Sequence, residues 1–407
     1  MSIYKNIRSA ILSNIVKPAD RSIGIEIESI IYTKHDTRIP VNSDQEYCAI
    51  KFVNIMNEKV GNNGNYSLEP GGQIEWSSKP YKDLNTLQRA IKKHNNLVSG
   101  SLKKHNLKLI TYGVDPLFNP DDIDLIDLKK YQLMDKSMER SGSMGKWMMR
   151  CTSSIQVNFD VINPQELEEM VFIADCLHPV AAYLFANSPF QNGEKTNNKN
   201  VRNIIWENTD KSRCRNLLDH GINSSEDLIN SYIDYILTVP SLFHIDSSGG
   251  IIEAKQNIGE RLYDLENTGG LTRRHIDAAL HQIFTNVRIK NLVEIRGADR
   301  TPEGYEITPA AFWTGLLTDK LIRKKTLNIL DKWSNDDRKL FNYAANSLNT
   351  SQPGPIKKSY GEWIQKFGNL ALDGLKIRNL NEEKLFEDFF EIVIKNGPFS
   401  IQVQKNG

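Results

Sequence analysis

Five glutamates and one glutamine are the residues whose types and spacing could do chemistry in this chain. Glu26 and Glu28 are separated by one residue, and Glu69 and Glu75 flank a double glycine. Carboxylate and amide oxygens are the ligands that hard cations such as Mg²⁺ prefer, and Mn²⁺ is the alternative ion. Two carboxylates about 7 Å apart along a strand repel each other and therefore favour a bound cation. The candidate metal ligands are Glu26, Glu28, Glu69, Glu75, Gln156 and Glu294.

Three arginines could hold the anions that such chemistry uses. Arg150, Arg202 and Arg296 carry guanidinium groups, which bind two oxygens of a carboxylate or phosphoryl group at once. Acids for metal and arginines for anions together favour metal-assisted phosphoryl chemistry. The stretch GSMGK at 142–146 has the wrong spacing for a phosphate-binding P-loop, and no Ser or Thr follows Lys146. If ATP is used, metal and arginine must hold its phosphates.

The candidate acids lie on four runs in which polar and apolar residues alternate. Successive side chains of a strand point to opposite faces, so each run would have one polar and one apolar face. Gln73 shares the polar face with Glu75. A single such run could be a solvated surface strand, but four predict an α+β fold: a curved, mainly antiparallel sheet with a polar concave face and flanking helices. The runs are IGIEIE at 23–28, QIEWSS at 73–78, IQVNFD at 155–160 and LVEIR at 292–296.

Helical patterns account for much of the remaining chain. Residues 119–145 have a weak pattern, and Ser141–Gly145 is predicted to be a flexible loop that closes over substrate. We expect one catalytic domain over 1–407, with a sheet-bearing core at 1–318 and a helical C-terminal extension at 319–407. Helices are predicted for Glu46–Lys59, Asp83–His105, Asn163–Ala186 with a kink at Pro179, Glu226–Val239 and Arg273–Ile283.

Composition excludes several classes of partner. The chain has 51 Lys+Arg against 50 Asp+Glu, a net charge of +1, so no global field draws it to nucleic acid or to a membrane surface. No run approaches the roughly 18 apolar residues that span a bilayer. Its 4 cysteines include no CxxC pair, which argues against a zinc site or a disulfide framework. We therefore expect a cytoplasmic protein with small-molecule partners. Monomer and homodimer both remain open.

Six motifs follow one another between Arg21 and Thr318. They are IGIEIE at 23–28, EPGGQIE at 69–75, QVN at 156–158, ANSPF at 186–190, RNIIW at 202–206 with TDK at 209–211, and EIRGAD at 294–299. In order and spacing, over about three quarters of the chain, they resemble the glutamate–cysteine ligases of the plant and proteobacterial type. That family belongs to the glutamine synthetase-like superfamily.

The resemblance implies a funnel-like antiparallel sheet and a ligase that uses ATP as co-substrate. Its reaction would join the glutamate γ-carboxylate to the cysteine amine through a γ-glutamyl phosphate. The product, γ-glutamylcysteine, is a first step towards glutathione or a related thiol. It implies Mg²⁺ ligation by the six oxygen donors given above, and catalytic roles for Glu75 and Arg296. It also implies that Arg150 and Arg202 hold the glutamate carboxylate, that Gln73 contacts substrate, and that Arg296 faces the transferred phosphoryl group.

Two departures from the family pattern affect what the resemblance implies. Arg150 lies one residue farther from Gln156 than in the plant pattern, which bears on its role at the glutamate carboxylate. The segments 142–149 and 213–219, which would shape the acceptor pocket, match least well, so the acceptor amine stays open. A γ-glutamyl ligase that uses another amino acid or amine is therefore the alternative. A non-catalytic homologue that binds metal and nucleotide is a third hypothesis, and the intact set of acids argues against it.

Overall fold

The computed structural model describes residues 2–42 and 47–406. Within these ranges the chain alternates short strands with helices. The strands are β1 (Ile23–Thr33), β2 (Gly64–Leu68), β3 (Ile74–Ser78), β4 (Leu107–Ile110), β5 (Ser154–Phe159), β6 (Phe190–Gln191), β7 (Glu194–Lys195), β8 (Phe243–Ile245), β9 (Ile251–Glu253), β10 (Val287–Ile289) and β11 (Val293–Asp299).

The helices surround these strands and dominate the C-terminal part of the chain. They are α1 (Ile3–Ile11), α2 (Ala49–Val60), α3 (Leu84–Lys104), α4 (Lys129–Ser141), α5 (Gly145–Cys151), α6 (Pro164–Cys176), α7 (His178–Leu184), α8 (Val201–Glu207), α9 (Leu228–Thr238), α10 (Ile258–Asn267), α11 (Arg273–Leu280), α12 (Thr308–Leu317), α13 (Lys320–Leu330), α14 (Asn335–Ala344), α15 (Tyr360–Ile377), α16 (Glu387–Asn396) and α17 (Phe399–Asn406).

The main sheet is built around the long strand β1. Its order is β10-β11-β5-β1-β3-β2, and β4 pairs with the second half of β1. Each of these pairings is antiparallel, and the sheet does not close into a barrel. The four predicted strands are β1, β3, β5 and β11, which lie side by side. The prediction of a mixed fold with an antiparallel sheet is therefore confirmed.

The register of the sheet separates a polar face from an apolar face, as the alternation predicted. Glu26 lies opposite Gln156, and Glu28 lies opposite Glu75, so these side chains share one face. The intervening Ile25, Ile27, Trp76 and Val157 are buried in the main hydrophobic core, which also contains residues of α3, α6 and α12. Burial of this apolar face against helices is what presents the acids together on the other face.

Several helix predictions are confirmed with small shifts at the ends. The predicted helix from Asn163 divides into α6 and α7 at Leu177, just before Pro179. α3 begins after Asp83, whose side chain accepts a hydrogen bond from the Thr86 amide as an N-cap. The predicted start at Glu46 lies outside the described residues, and the helix is observed from Ala49.

The predicted flexible loop at Ser141–Gly145 is instead a tight junction between α4 and α5. Ser141 ends α4 and Gly145 begins α5. The Met144 amide donates to the Asn208 carbonyl oxygen at 3.1 Å, and a Cβ on Gly142 would overlap the Thr209 carbonyl oxygen. The weak sequence pattern of residues 119–145 thus hides α4, and α5 begins at the end of that segment; both helices reach the site described below.

No helix in the described ranges is both long and apolar enough to cross a membrane.

The crossing of α12 and α15 gives a stability prediction. A Cβ on Gly374 of α15 would overlap the carbonyl oxygen of Gly315 on α12, so only glycine permits this approach. We expect Gly374→Ala to lower the free energy of unfolding by about 2 kcal/mol or more, through overpacking against backbone. The control is Gly100→Ala in α3, where a Cβ would meet nothing within 4 Å. Because alanine favours helix, Gly100→Ala should stabilise by about 0.5–1 kcal/mol in the same denaturant titration. Equal stability of the two variants would contradict the close crossing.

Candidate active site

The polar face of the sheet forms one wall of a cavity of about 250 Å³. Side chains of β1, β3 and β5 contribute Glu26, Glu28, Glu75 and Gln156 to this wall. The turn between β2 and β3 adds Glu69 and Gln73, and helices α4 and α5, with several aromatic side chains, complete the enclosure. The sheet therefore positions most of the sequence-predicted acids in a single space.

Three carboxylates converge inside this cavity. Glu28, Glu69 and Glu75 each offer one oxygen, and these oxygens lie within 4.8 Å of one another. Register brings Glu28 opposite Glu75, while a reversed turn brings in Glu69: the Glu69 amide donates to the Gln73 carbonyl oxygen at 2.9 Å. Gly72, at the centre of that turn, has φ +78°, which favours glycine. The sequence EPGGQIE therefore folds so that its two acids meet.

The convergence is electrostatically unfavourable without a cation. Burial, and then the charge of Glu28, raises the pKa of Glu69 to about 7. Burial, and then the charge of Glu69, raises the pKa of Glu75 well above its usual value. Burial and the charge of Glu294 also raise the pKa of Glu26. A divalent cation would relieve this repulsion, and three converging oxygens suit Mg²⁺ or Mn²⁺. The donor set therefore fits the metal that the sequence predicted.

Gln156 and Glu26 lie beside the three carboxylates, and each is held by its own hydrogen bonds. The Gln156 side-chain Nε2 donates to Glu28 Oε1 at 2.8 Å, and Gln156 Oε1 accepts from Arg296 Nη1 at 2.6 Å. Asn158 Nδ2 donates to Glu26 Oε1 at 2.9 Å. Gln156 thus connects the acids to Arg296, and its role as a metal ligand stays a prediction.

Glu294 has different surroundings from the other predicted ligands. Its fully buried carboxylate is bound by Arg288 through Nη2 at 2.7 Å, and it also pairs with Lys290 and Arg296. Burial alone would raise its pKa, but these three cations hold the pKa of Glu294 well below its usual value. Glu294 is not among the residues that line the cavity. The structure makes it the centre of a basic cluster, and its role as a metal ligand stays a prediction.

Arg296 faces the cavity from this basic cluster. Its guanidinium carbon lies 5.6 Å from the ring centre of Trp206 and 5.9 Å from that of Phe284. These contacts fix the plane of the guanidinium group, and its buried Nε has no hydrogen-bond partner among the described residues. Arg288 and Lys290 also line the cavity. The cavity therefore has acidic and basic side chains next to each other, an arrangement suited to a phosphate group that bears metal.

Arg202 and Gln73 occupy buried positions at the edges of the site. Arg202 lines a smaller adjoining cavity together with Arg296 and Trp206. Its Nη2 donates to the Arg296 carbonyl oxygen at 3.2 Å, and its Nη1 lies 3.8 Å from Asp299 Oδ1. Gln73 lines the main cavity, where its Nε2 donates to the Thr152 carbonyl oxygen at 2.8 Å. Its buried Oε1 has no partner among the described residues. Both remain predicted substrate contacts.

The Arg150 side chain is not brought into the cavity. Its Nη2 is 2.7 Å from Asp135 Oδ2, and its Nη1 donates to the carbonyl oxygens of Pro120 and Ile123, each at 3.1 Å. The backbone of Arg150 instead supports the turn before β3, since a Cβ on Gly71 would lie 2.5 Å from its carbonyl oxygen. Contact between Arg150 and glutamate is thus a prediction that this geometry does not support.

Many cavity residues were not predicted from the sequence, and four of them carry a charge or a phenol group that could contact substrate. Lys130 and Tyr131 come from α4, and Arg288 and Lys290 from the β10 strand and its end. The run Val287–Lys290 has the same alternation as the four predicted strands, and it could have been found by that signal. α4 has only a weak signal, because Met134 and Met138 are its only fully buried residues.

Comparisons with known proteins agree with this site. The family model "glutamate-cysteine ligase family 2 (GCS2)" matches residues 22–355. The chloroplastic glutamate–cysteine ligase of Medicago truncatula is 29% identical over 356 residues, which are 84% of this chain and 67% of the relative. That of Arabidopsis thaliana is 30% identical over 337 residues, 80% of this chain and 63% of the relative. The chain thus spans about two thirds of the length of these relatives.

A solved structure shows the same fold. The crystal structure of a glutamate–cysteine ligase from Francisella tularensis in complex with AMP superposes with a TM-score of 0.62 at 14% identity. The match covers 96% of this chain and 86% of that one. The family model reaches from just before β1 to the segment before α15, and so includes every strand of the main sheet. The chain belongs to glutamate-cysteine ligase family 2.

Proposed function

We propose that the chain catalyses the ATP-dependent ligation of the glutamate γ-carboxylate to the cysteine amine, giving γ-glutamylcysteine, ADP and phosphate. The observation that carries this proposal is the close approach of acidic and basic side chains in one cavity. Glu28, Glu69 and Glu75 converge there. The same cavity is lined by Arg288, Lys290 and Arg296, which gather around Glu294 on the neighbouring strands. Family membership supports the same reaction.

Two steps balance the reaction. A γ-carboxylate oxygen of glutamate attacks the terminal phosphorus of ATP, the bond to the bridging oxygen breaks, and ADP leaves with its electron pair. The neutral amine of cysteine then attacks the γ-carbon of the acyl phosphate, phosphate leaves, and the nitrogen loses a proton. Each step needs charge stabilisation and fixed orientation more than a reactive side chain.

The chain's own residues supply that stabilisation. Glu28, Glu69 and Glu75 would hold Mg²⁺, or Mn²⁺ in its place, and the ion would neutralise part of the triphosphate charge. Arg296 lies near the rings of Trp206 and Phe284 and donates a hydrogen bond to Gln156, so it is positioned to contact an oxygen of the moving phosphoryl group. The enclosing aromatic and methionine side chains limit access of water, which would otherwise hydrolyse the acyl phosphate.

The proposal is tested by following ADP release when ATP, Mg²⁺, glutamate and cysteine are supplied together and then omitted singly. We expect ADP release only in the complete mixture, with a product of the mass of γ-glutamylcysteine. ADP release that ignores glutamate would contradict the proposal, and nucleotide binding without turnover for any amine would indicate a non-catalytic homologue.

A ligase with another amine acceptor is the second candidate. The observation that favours it is that α4, which forms one wall of the cavity, lies between the EPGGQIE and QVN motifs and is covered by neither. Replacing cysteine by other amino acids and by simple amines in the same assay separates the two candidates.

Arg202→Lys should raise the KM for glutamate by about tenfold, because one ammonium group cannot replace a two-pronged guanidinium. The buried position of Arg202 beside Arg296 supports a substrate contact. Steady-state kinetics at saturating ATP would measure the change. Arg140→Lys, on the exposed face of α4, is the control and should leave the KM unchanged. An unaltered glutamate KM in Arg202→Lys would remove this residue from the glutamate site.

Three further expectations accompany the proposed function. Residues 1–407 would act as one catalytic domain, in which the helices after residue 319 support the sheet. The cytoplasm is the expected location, and monomer and homodimer are both compatible with the proposal.

A further inference from the structure

Lys130 is a cavity cation that contacts no anionic partner among the described residues. It lines the cavity from α4, and its ammonium nitrogen lies 5.1 Å from the ring centre of Tyr131 and 5.8 Å from that of Phe243. Within the described ranges, no carboxylate lies within ion-pair distance of it, although the charge of Glu69 acts on it. Aromatic faces hold a cation in place but do not neutralise it. Lys130 is thus positioned for an anion that a substrate brings.

The anion that Lys130 suits is a carboxylate. Arg288, Lys290 and Arg296 gather around Glu294 on the sheet and supply the greater positive charge. Polyphosphate should therefore bind at that cluster. A single ammonium, which acts as one point charge, matches a group with one negative charge.

The surroundings of Lys130 also suit one kind of side chain. Met134 lies one helical turn after Lys130 on the same face of α4, and α5 adds Met148 and Met149. All three methionines line the cavity and are buried. Thioether groups are polarisable and adapt to small apolar or sulfur-containing groups. A carboxylate-binding nitrogen beside a methionine surface matches an amino acid, whereas a simple amine would leave Lys130 without a partner.

We propose that Lys130 binds the α-carboxylate of the acceptor amino acid and that Met134, Met148 and Met149 surround its side chain. This inference rests on the proposed ligase function and adds a selection rule to it. Acceptors are α-amino acids with a small, soft side chain, and amines that lack a carboxylate are poor substrates.

The test compares cysteine with cysteamine, which is the same amine without the carboxylate. In Lys130→Met we expect the KM for cysteine to rise by about 10- to 100-fold, the effect of one charge-assisted hydrogen bond. The cysteamine kcat/KM and the KM values for glutamate and ATP should stay within about twofold of wild type, because none of these ligands is proposed to form that hydrogen bond with Lys130. Lys130→Arg should restore most of the cysteine affinity. The matched control is Lys129→Met, which changes the exposed neighbouring lysine.

Three outcomes would overturn the assignment: an equal effect of Lys129→Met and Lys130→Met, an equal loss for cysteine and cysteamine, or a change confined to the KM of glutamate or ATP. Binding of cysteine and of cysteamine is also measured by calorimetry, with glutamate and a non-hydrolysable ATP analogue present. The calorimetric measurement does not require turnover. If wild type releases no ADP with any amine, the proposed function fails. Weaker cysteine binding in Lys130→Met would still support the carboxylate contact in that case, and equal binding would refute it.

Discussion

Glu75→Gln should lower kcat/KM by about 1,000-fold while leaving the folded protein as stable as wild type or more stable. The amide retains the shape and the acceptor oxygen for the Ser67 hydroxyl, which donates to Glu75 Oε1 at 2.9 Å. It lacks the negative charge that the cation needs. Turnover should therefore be lost although the fold is kept.

The stability of this variant follows from the crowding of the carboxylates. Burial, and then the charges of Glu69, Glu26 and Glu28, raises the pKa of Glu75 well above its usual value, so its ionised form is unfavourable in the metal-free fold. Urea unfolding in the presence of a chelator should show an equal or higher unfolding free energy for Glu75→Gln. Glu194→Gln, an exposed change on β7, is the control for both assays. An unchanged reaction rate would remove Glu75 from the site.

Glu294→Gln should have the opposite effect on stability and cost about 3–5 kcal/mol of unfolding free energy. Arg288, Lys290 and Arg296 all pair with this carboxylate, which is fully buried. Removing its charge leaves three neighbouring cations without a shared anion, and they would repel one another. Activity should fall as well, because Arg296 would lose its ion pair with Glu294 and keep only neutral acceptors.

The same chelator-containing urea titration measures Glu294→Gln, and Glu253→Gln on the exposed edge of β9 is its control. A loss below about 1 kcal/mol, the range of exposed ion pairs, would show that Glu294 does not organise the basic cluster. Glu75→Gln and Glu294→Gln are the same chemical change at two positions, and they are expected to change stability in opposite directions. That contrast distinguishes the crowded carboxylates from the carboxylate that is paired with cations.

The group of carboxylates on β1, on β3 and in the turn before β3 could be predicted from the sequence, because the face on which a strand side chain lies depends only on its position in that strand. Alternation places Glu26 with Glu28, and Gln73 with Glu75, on one face whichever strands become neighbours. The double glycine in EPGGQIE similarly indicates a sharp turn that returns Glu69 towards the strand. The pairing of β1 with β3 and β5, which the alternation does not specify, then brings the polar faces of three strands together.

The basic cluster around Glu294 and the contribution of α4 to the cavity could not be predicted from the sequence in the same way. Glu294 carries the same alternating signal as Glu28, and only the pairing of β10 with β11 reveals that Arg288 and Lys290 meet it. The resemblance assigned Arg150 to the glutamate carboxylate, but Asp135 on the neighbouring helix binds its guanidinium. α4 has too few buried apolar residues to be recognised as a helix, because much of it faces solvent or the cavity.

The most direct test of the ligase proposal follows oxygen from the glutamate γ-carboxylate. Glutamate labelled in that group with a heavy oxygen isotope is incubated with ATP, Mg²⁺, cysteine and the protein, and the released phosphate is analysed by mass spectrometry. If the carboxylate attacks ATP, each phosphate carries one labelled oxygen and the dipeptide retains the other. Unlabelled phosphate would mean that water attacks ATP, and it would contradict the acyl phosphate on which the proposed function depends.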